Sequence, residues 1–98
     1  MVNESVTMMG AWGGFSFTMT PEVKSVFDQA LKGLVGVQYT PMAFAIQVVS
    51  GLNYCFLSEG KVVYPGGSEF AALIYIYAPL EGAPHITGIT QIKAGEKH

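Results

Sequence analysis

Charge is scarce in this 98-residue chain: five basic and seven acidic side chains are spread along it, for a formal net charge of −2. Without a basic cluster there is no electrostatic footprint for nucleic acid or for an anionic membrane surface. Cysteine is scarcer still. Cys55 stands alone, which excludes an internal disulfide. The N-terminus has neither the basic region nor the unbroken apolar block of a secretory signal, so the expected setting is reducing and cytoplasmic. Long apolar runs are missing too, the longest being Phe70 to Leu80, far short of the roughly 20 residues that span a bilayer. Residues able to carry chemistry are few. Cys55 lies in an apolar stretch, where a free thiol behaves as a small hydrophobe. His85 borders a turn, His98 is terminal, and Glu59, Glu69 and Glu81 are scattered. No metal-ligand spacing is present, and Gly13-Gly14 and Gly66-Gly67 lack the lysine and the strand-to-helix setting of a phosphate loop. The expectation is a protein with no catalytic residue, no metal and no cofactor.

What the chain has is hydrophobicity. Half of its residues are apolar, enough to build one core in one domain spanning residues 1–98. The clearest local signal is Thr20-Pro21-Glu22: an N-cap hydroxyl, a proline suited to the first helical position and a carboxylate at the positive end of the dipole. Val23, Val26, Phe27, Ala30, Leu31 and Leu34 then recur at helical spacing, and Gly33 and Gly36 stop the pattern.

From Val37 to Val49 the period changes to two. Met42, Phe44, Ile46 and Val48 are large on one side, and Ala43, Ala45 and Gln47 are small or polar on the other. Before Pro41 the large residues Val37 and Tyr39 sit in the opposite phase, which predicts a bulge or bend there. Leu52 to Leu57 is too continuously apolar for its facing to be read. Ser58-Glu59-Gly60-Lys61 reads as a turn or bulge, Val62 to Tyr64 as an edge extension, and Pro65 to Ser68 as a loop. Phe70 to Tyr77 and Ile86 to Ile92 read as further strands, joined by a turn at Pro79-Leu80-Glu81-Gly82-Ala83-Pro84. Ahead of the helix, Phe15 and Phe17 read as a short first strand facing the core, after a flexible segment of about residues 1–14. A polar tail runs from about 93 to 98. The predicted class is α+β, with one helix packed across a curved antiparallel sheet of four to five strands.

Between two of these strands lies Gln47-Val48-Val49-Ser50-Gly51, followed by Leu52-Asn53-Tyr54. A hairpin tip built from valines costs solvation unless something covers it. Two readings are open for the valines: core or edge residues beside an ordinary turn, or a contact surface. The motif resembles the Gln-x-Val-x-Gly hairpin of the cystatins, protein inhibitors of papain-like cysteine proteases, including the Asn-Tyr that commonly follows it. Gly13-Gly14, a few residues ahead of the helix, is similar to the glycine pair of the stefin-type members, which also lack disulfides. Pro79-Leu80 stands where secreted cystatins carry Pro-Trp.

The resemblance implies a cystatin-like fold and reversible, competitive inhibition of a papain-like protease through a three-part wedge. Its parts would be the trunk at Gly13 and Gly14, the hairpin Gln47, Val48, Val49, Ser50 and Gly51, and the second loop at Pro79 and Leu80. The alternative expectation is a non-inhibitory binding or self-assembly module on the same scaffold, forming a homodimer by strand exchange or through an apolar sheet face that includes Tyr75 and Tyr77.

Overall fold

A computed structural model of the chain describes residues 10–92. The expectations for the first nine residues of the trunk, and for the tail from Lys93, lie outside that range. The element order is α1 (Pro21–Leu31), β1 (Val37–Val49), β2 (Gly51–Val62), β3 (Glu69–Ala78) and β4 (His85–Ile92). The four strands form one antiparallel sheet in sequential order, and α1 packs on one face of it. This is an α+β arrangement consistent with the cystatin-like fold. Among the described residues no helix is long and apolar enough to cross a membrane.

The helix begins as its residues dictate, with the Thr20 hydroxyl accepting the Val23 amide at 3.3 Å and Pro21 at the first helical position. It ends at Leu31, where Gly33 turns the chain with a φ of +87°. Val23 and Phe27 are its buried residues, and Val26, Ala30 and Leu31 pack beside them. Leu34 falls beyond the last turn and is exposed, which corrects its place in the predicted stripe. An 11-residue helix is marginal on its own. Its stability comes from Phe44, Tyr54, Phe56, Ile74 and Ile76, the sheet residues that join Val23 and Phe27 in one buried cluster.

The phase change at Pro41 is a bulge. Pro41 pairs with Ser58 and Ala43 with Leu57, leaving Met42 as the extra residue. The insertion brings Tyr39, from one phase, and Phe44, from the other, onto the helix side. Met42 drops out of the alternation and is 46% exposed, so it does not belong with Phe44 and Ile46. The proline is tolerated because β1 is one of the two outer strands of the four and its ladder is already broken there.

Three further expectations are corrected. Ser58 to Lys61 is not a turn: β2 runs straight through it, paired with β1 on one side and β3 on the other. Local turn chemistry is overridden by two ladders of hydrogen bonds, and Gly60 is required by packing. A Cβ there would lie 2.6 Å from the Phe70 ring and 3.0 Å from the Tyr39 ring. Val63 and Tyr64 lie past the end of β2 and are exposed.

Phe15 and Phe17 do not face the core either, being 48% and 72% exposed. The residue between them, Ser16, makes the contact. It exchanges backbone hydrogen bonds with Phe44, so the phenylalanines are carried outward along the edge of β1.

Ser58 itself is fully buried, and its Oγ has no hydrogen-bond partner among the described residues. A buried hydroxyl that donates to nothing is destabilising. Ser58→Ala should therefore raise stability by about 1 kcal/mol, read as a higher urea midpoint at unchanged slope.

Candidate functional site

The motif residues occupy one end of the sheet. Val49 pairs with Gly51 across Ser50, Val48 with Leu52, and Gln47 with Asn53, so the hairpin turns at Ser50. Ser50 is exposed, Val48 and Val49 are half-buried, and Gly51 is buried. The valines are thus not sealed within the chain.

Gly51 is buried because the second loop lies against it. Its φ is +98°, and a Cβ at this position would stand 2.5 Å from the Ala78 carbonyl oxygen, 3.1 Å from Pro79 Cα and 3.3 Å from the Leu80 nitrogen. Only a residue without a side chain allows the backbones of the two loops to come this close. The Tyr77 hydroxyl reinforces the contact by donating to the Ser50 carbonyl, tying the first hairpin's tip to β3. The Tyr77 ring also meets the His85 ring edge-on, with centroids 5.7 Å apart. Pro79 is half-buried beside Gly51, while Leu80, next in the second loop, is exposed.

The described part of the trunk is laid along the free edge of β1. The amides of Gly10 and Gly13 donate to the carbonyls of Val48 and Ile46, at 2.9 and 3.0 Å. Gly13 and Gly14 therefore lie partway down the strand, and it is Gly10 that stands beside the hairpin, with a φ of +87°. The Gln47 side chain joins the two, its Nε2 donating to the Gly10 carbonyl at 2.8 Å while its Oε1 accepts from Asn53 Nδ2 at 2.8 Å. Hairpin and second loop thus meet at one pole, with Gly10 beside them in place of the expected Gly13 and Gly14.

The face of the sheet turned away from α1 carries Ala45, Cys55, Leu73 and Tyr75. Trp12 meets the Tyr75 ring edge-on at 6.2 Å. Two hollows share this aromatic pair. One, of about 260 Å³, reaches Asn53 and Thr87, and the other, of about 220 Å³, has Phe15 and Cys55 on its walls. Cys55 is buried, and that burial pushes its thiol above the usual range, keeping it in the neutral, poorly nucleophilic form. Cys55 lies opposite Tyr75 on one side of β3, and His85 opposite Tyr77 on the other. No described hydrogen bond joins Cys55 to His85. Among the described residues no group of three or more His, Cys, Asp or Glu side chains could hold a metal ion.

The sequence pattern gives no role to Gly10 or Trp12, marks Asn53 only as part of the Asn-Tyr after the hairpin, and places Tyr77 only on an apolar sheet face. For Asn53 a signal existed, since a hairpin centred on Ser50 places residues 47 and 53 opposite each other. For Gly10 and Trp12 there was none, because nothing local sets the register of the trunk on β1. Comparison with known proteins finds no family model, no curated protein and no solved structure that matches this chain.

Proposed function

We propose that this chain is a reversible, competitive inhibitor of papain-like cysteine proteases, acting as a stefin-like member of the cystatin superfamily. The observation that supports this reading most is the seating of Gly51 against Ala78 and Pro79, which fuses the first hairpin and the second loop into one prong. The trunk lies beside it.

The physical mechanism is complementarity without cleavage. Tyr77 and the Gly51 contact hold the tip in place before any encounter, so little conformational entropy is lost on binding. Val48, Val49 and Leu80 supply apolar surface that leaves water when the prong enters a cleft. The tip meets the cleft as a turned hairpin instead of an extended substrate strand, so no peptide bond is set for attack.

Titration of papain with the protein should give competitive, reversible inhibition. Val49→Asp brings an unpaired carboxylate into the desolvated contact and should weaken inhibition at least about 30-fold, with far-UV circular dichroism unchanged. Absence of inhibition at micromolar protein removes this reading for that protease.

A second reading is a non-inhibitory assembly module. It is favoured by Phe15, Phe17 and Met42, which are all exposed near the Ser16–Phe44 bridge. A dimer in sedimentation that dissociates on Phe17→Ser, combined with no protease inhibition, would select it.

A further inference from the structure

We propose that Asn53 and Gln47 form a side-chain clasp that fixes residues 10–12 alongside the first hairpin. Asn53 is then a positioning residue of the wedge that acts without touching the protease. The proposal rests on the inhibitor reading for its functional consequence, but not for its structural content.

The hydrogen-bonding chemistry allows a single arrangement. The Gly10 carbonyl can only accept, so the Gln47 amide must present its NH2 group to it. That leaves Gln47 Oε1 facing Asn53, which must in turn donate from Nδ2. The relay begins on β2, crosses β1 and ends on the trunk. It links the described part of the trunk to the hairpin strands through side-chain hydrogen bonds, and it supplements the backbone bonds from Gly10 and Gly13. A segment held by a few edge hydrogen bonds opens easily. Each added link raises the fraction of molecules whose trunk is already in place, and apparent affinity scales with that fraction.

The chain carries a test of this within itself, because Trp12 is its one tryptophan and lies between Gly10 and Gly13 against Tyr75. Asn53→Asp is nearly isosteric but can only accept. Gln47 must then turn its NH2 group towards residue 53, leaving its oxygen against the Gly10 carbonyl. The expected result is red-shifted Trp12 emission with increased acrylamide quenching, at unchanged far-UV circular dichroism. Papain inhibition should weaken roughly three- to tenfold, the worth of an ordinary hydrogen bond. In a Gln47→Ala background, Asn53→Asp should produce no further change in Trp12 emission. Should the aspartate disturb the fold, Asn53→Ala removes the donor without adding charge and decides the question on the same fluorescence readout.

Unchanged emission and quenching in a folded Asn53 variant would overturn the clasp. If the wild-type chain leaves papain uninhibited, the inhibitor reading fails while the Trp12 measurement still decides whether the clasp exists.

Discussion

Gly51→Ala should cost about 3 kcal/mol of stability and separate the two loops at the candidate binding pole. Two effects add at this position. A side chain at a φ of +98° is strained wherever it occurs, and here the new methyl group would also stand 2.5 Å from the Ala78 carbonyl oxygen. That oxygen and Pro79 Cα are backbone atoms, so relief requires the second loop to move.

Gly36→Ala is the control. Its φ is +95°, but nothing lies within 4 Å of the added atom, so it should cost only about 1 kcal/mol. Urea unfolding of the two variants isolates the close approach from the backbone strain, and equal costs would mean that the loops do not depend on each other. If the inhibitor reading holds, Gly51→Ala should also lose protease affinity at protein concentrations where it remains folded, whereas Gly36→Ala should keep it.

Phe56→Ala should be the most damaging core truncation, at about 3–5 kcal/mol. Phe56 is fully buried at the centre of the sheet, paired with Phe44 on β1 and Ile74 on β3. Its ring lies 4.9 Å from that of Phe27, 5.5 Å from Tyr54 and 6.2 Å from Phe44. Removing it hollows out the contact between helix and sheet, and neighbours drawn from three strands and a helix cannot all collapse into the gap. A domain of this size holds only about 5–15 kcal/mol in total, so the variant should melt roughly 15–30 °C lower or fail to fold. Phe56→Leu, which keeps most of the volume, should lose far less. A melting temperature within a few degrees of wild type for Phe56→Ala would place the centre of the core elsewhere.

The parts of this structure that could be read in the sequence were those where a local rule and a global requirement agree. Thr20-Pro21-Glu22 starts a helix by its own chemistry, and the stripe after it needed a sheet to cover it. The bulge was legible because the large residues change phase across Pro41, and Met42 is the residue that absorbs the change. Ser58 to Lys61 misled because serine, glycine and charge ordinarily mark a turn, whereas here two neighbouring ladders hold the segment extended and Gly60 makes room for two rings. At the candidate site the hairpin was legible in Val48 to Gly51, whereas the pairing of Gln47 with Asn53 depends on the turn being centred on Ser50. The contact of Gly51 with Ala78, and the placement of Gly10 beside Val48, depend on how separate elements meet, which no local pattern records.

The sheet is a simple meander, and this sets the order in which the chain can become stable. Each strand finds its neighbour across a short connection, whereas the apolar stripe of α1 has no complete surface to rest on until Ile74 and Ile76 of β3 and Ile86 of β4 have joined Phe44 and Phe56. During synthesis the helix is therefore made early and secured late. A ribosome must extend the polypeptide into β4 before a helix made ahead of every strand can lie down on its bed.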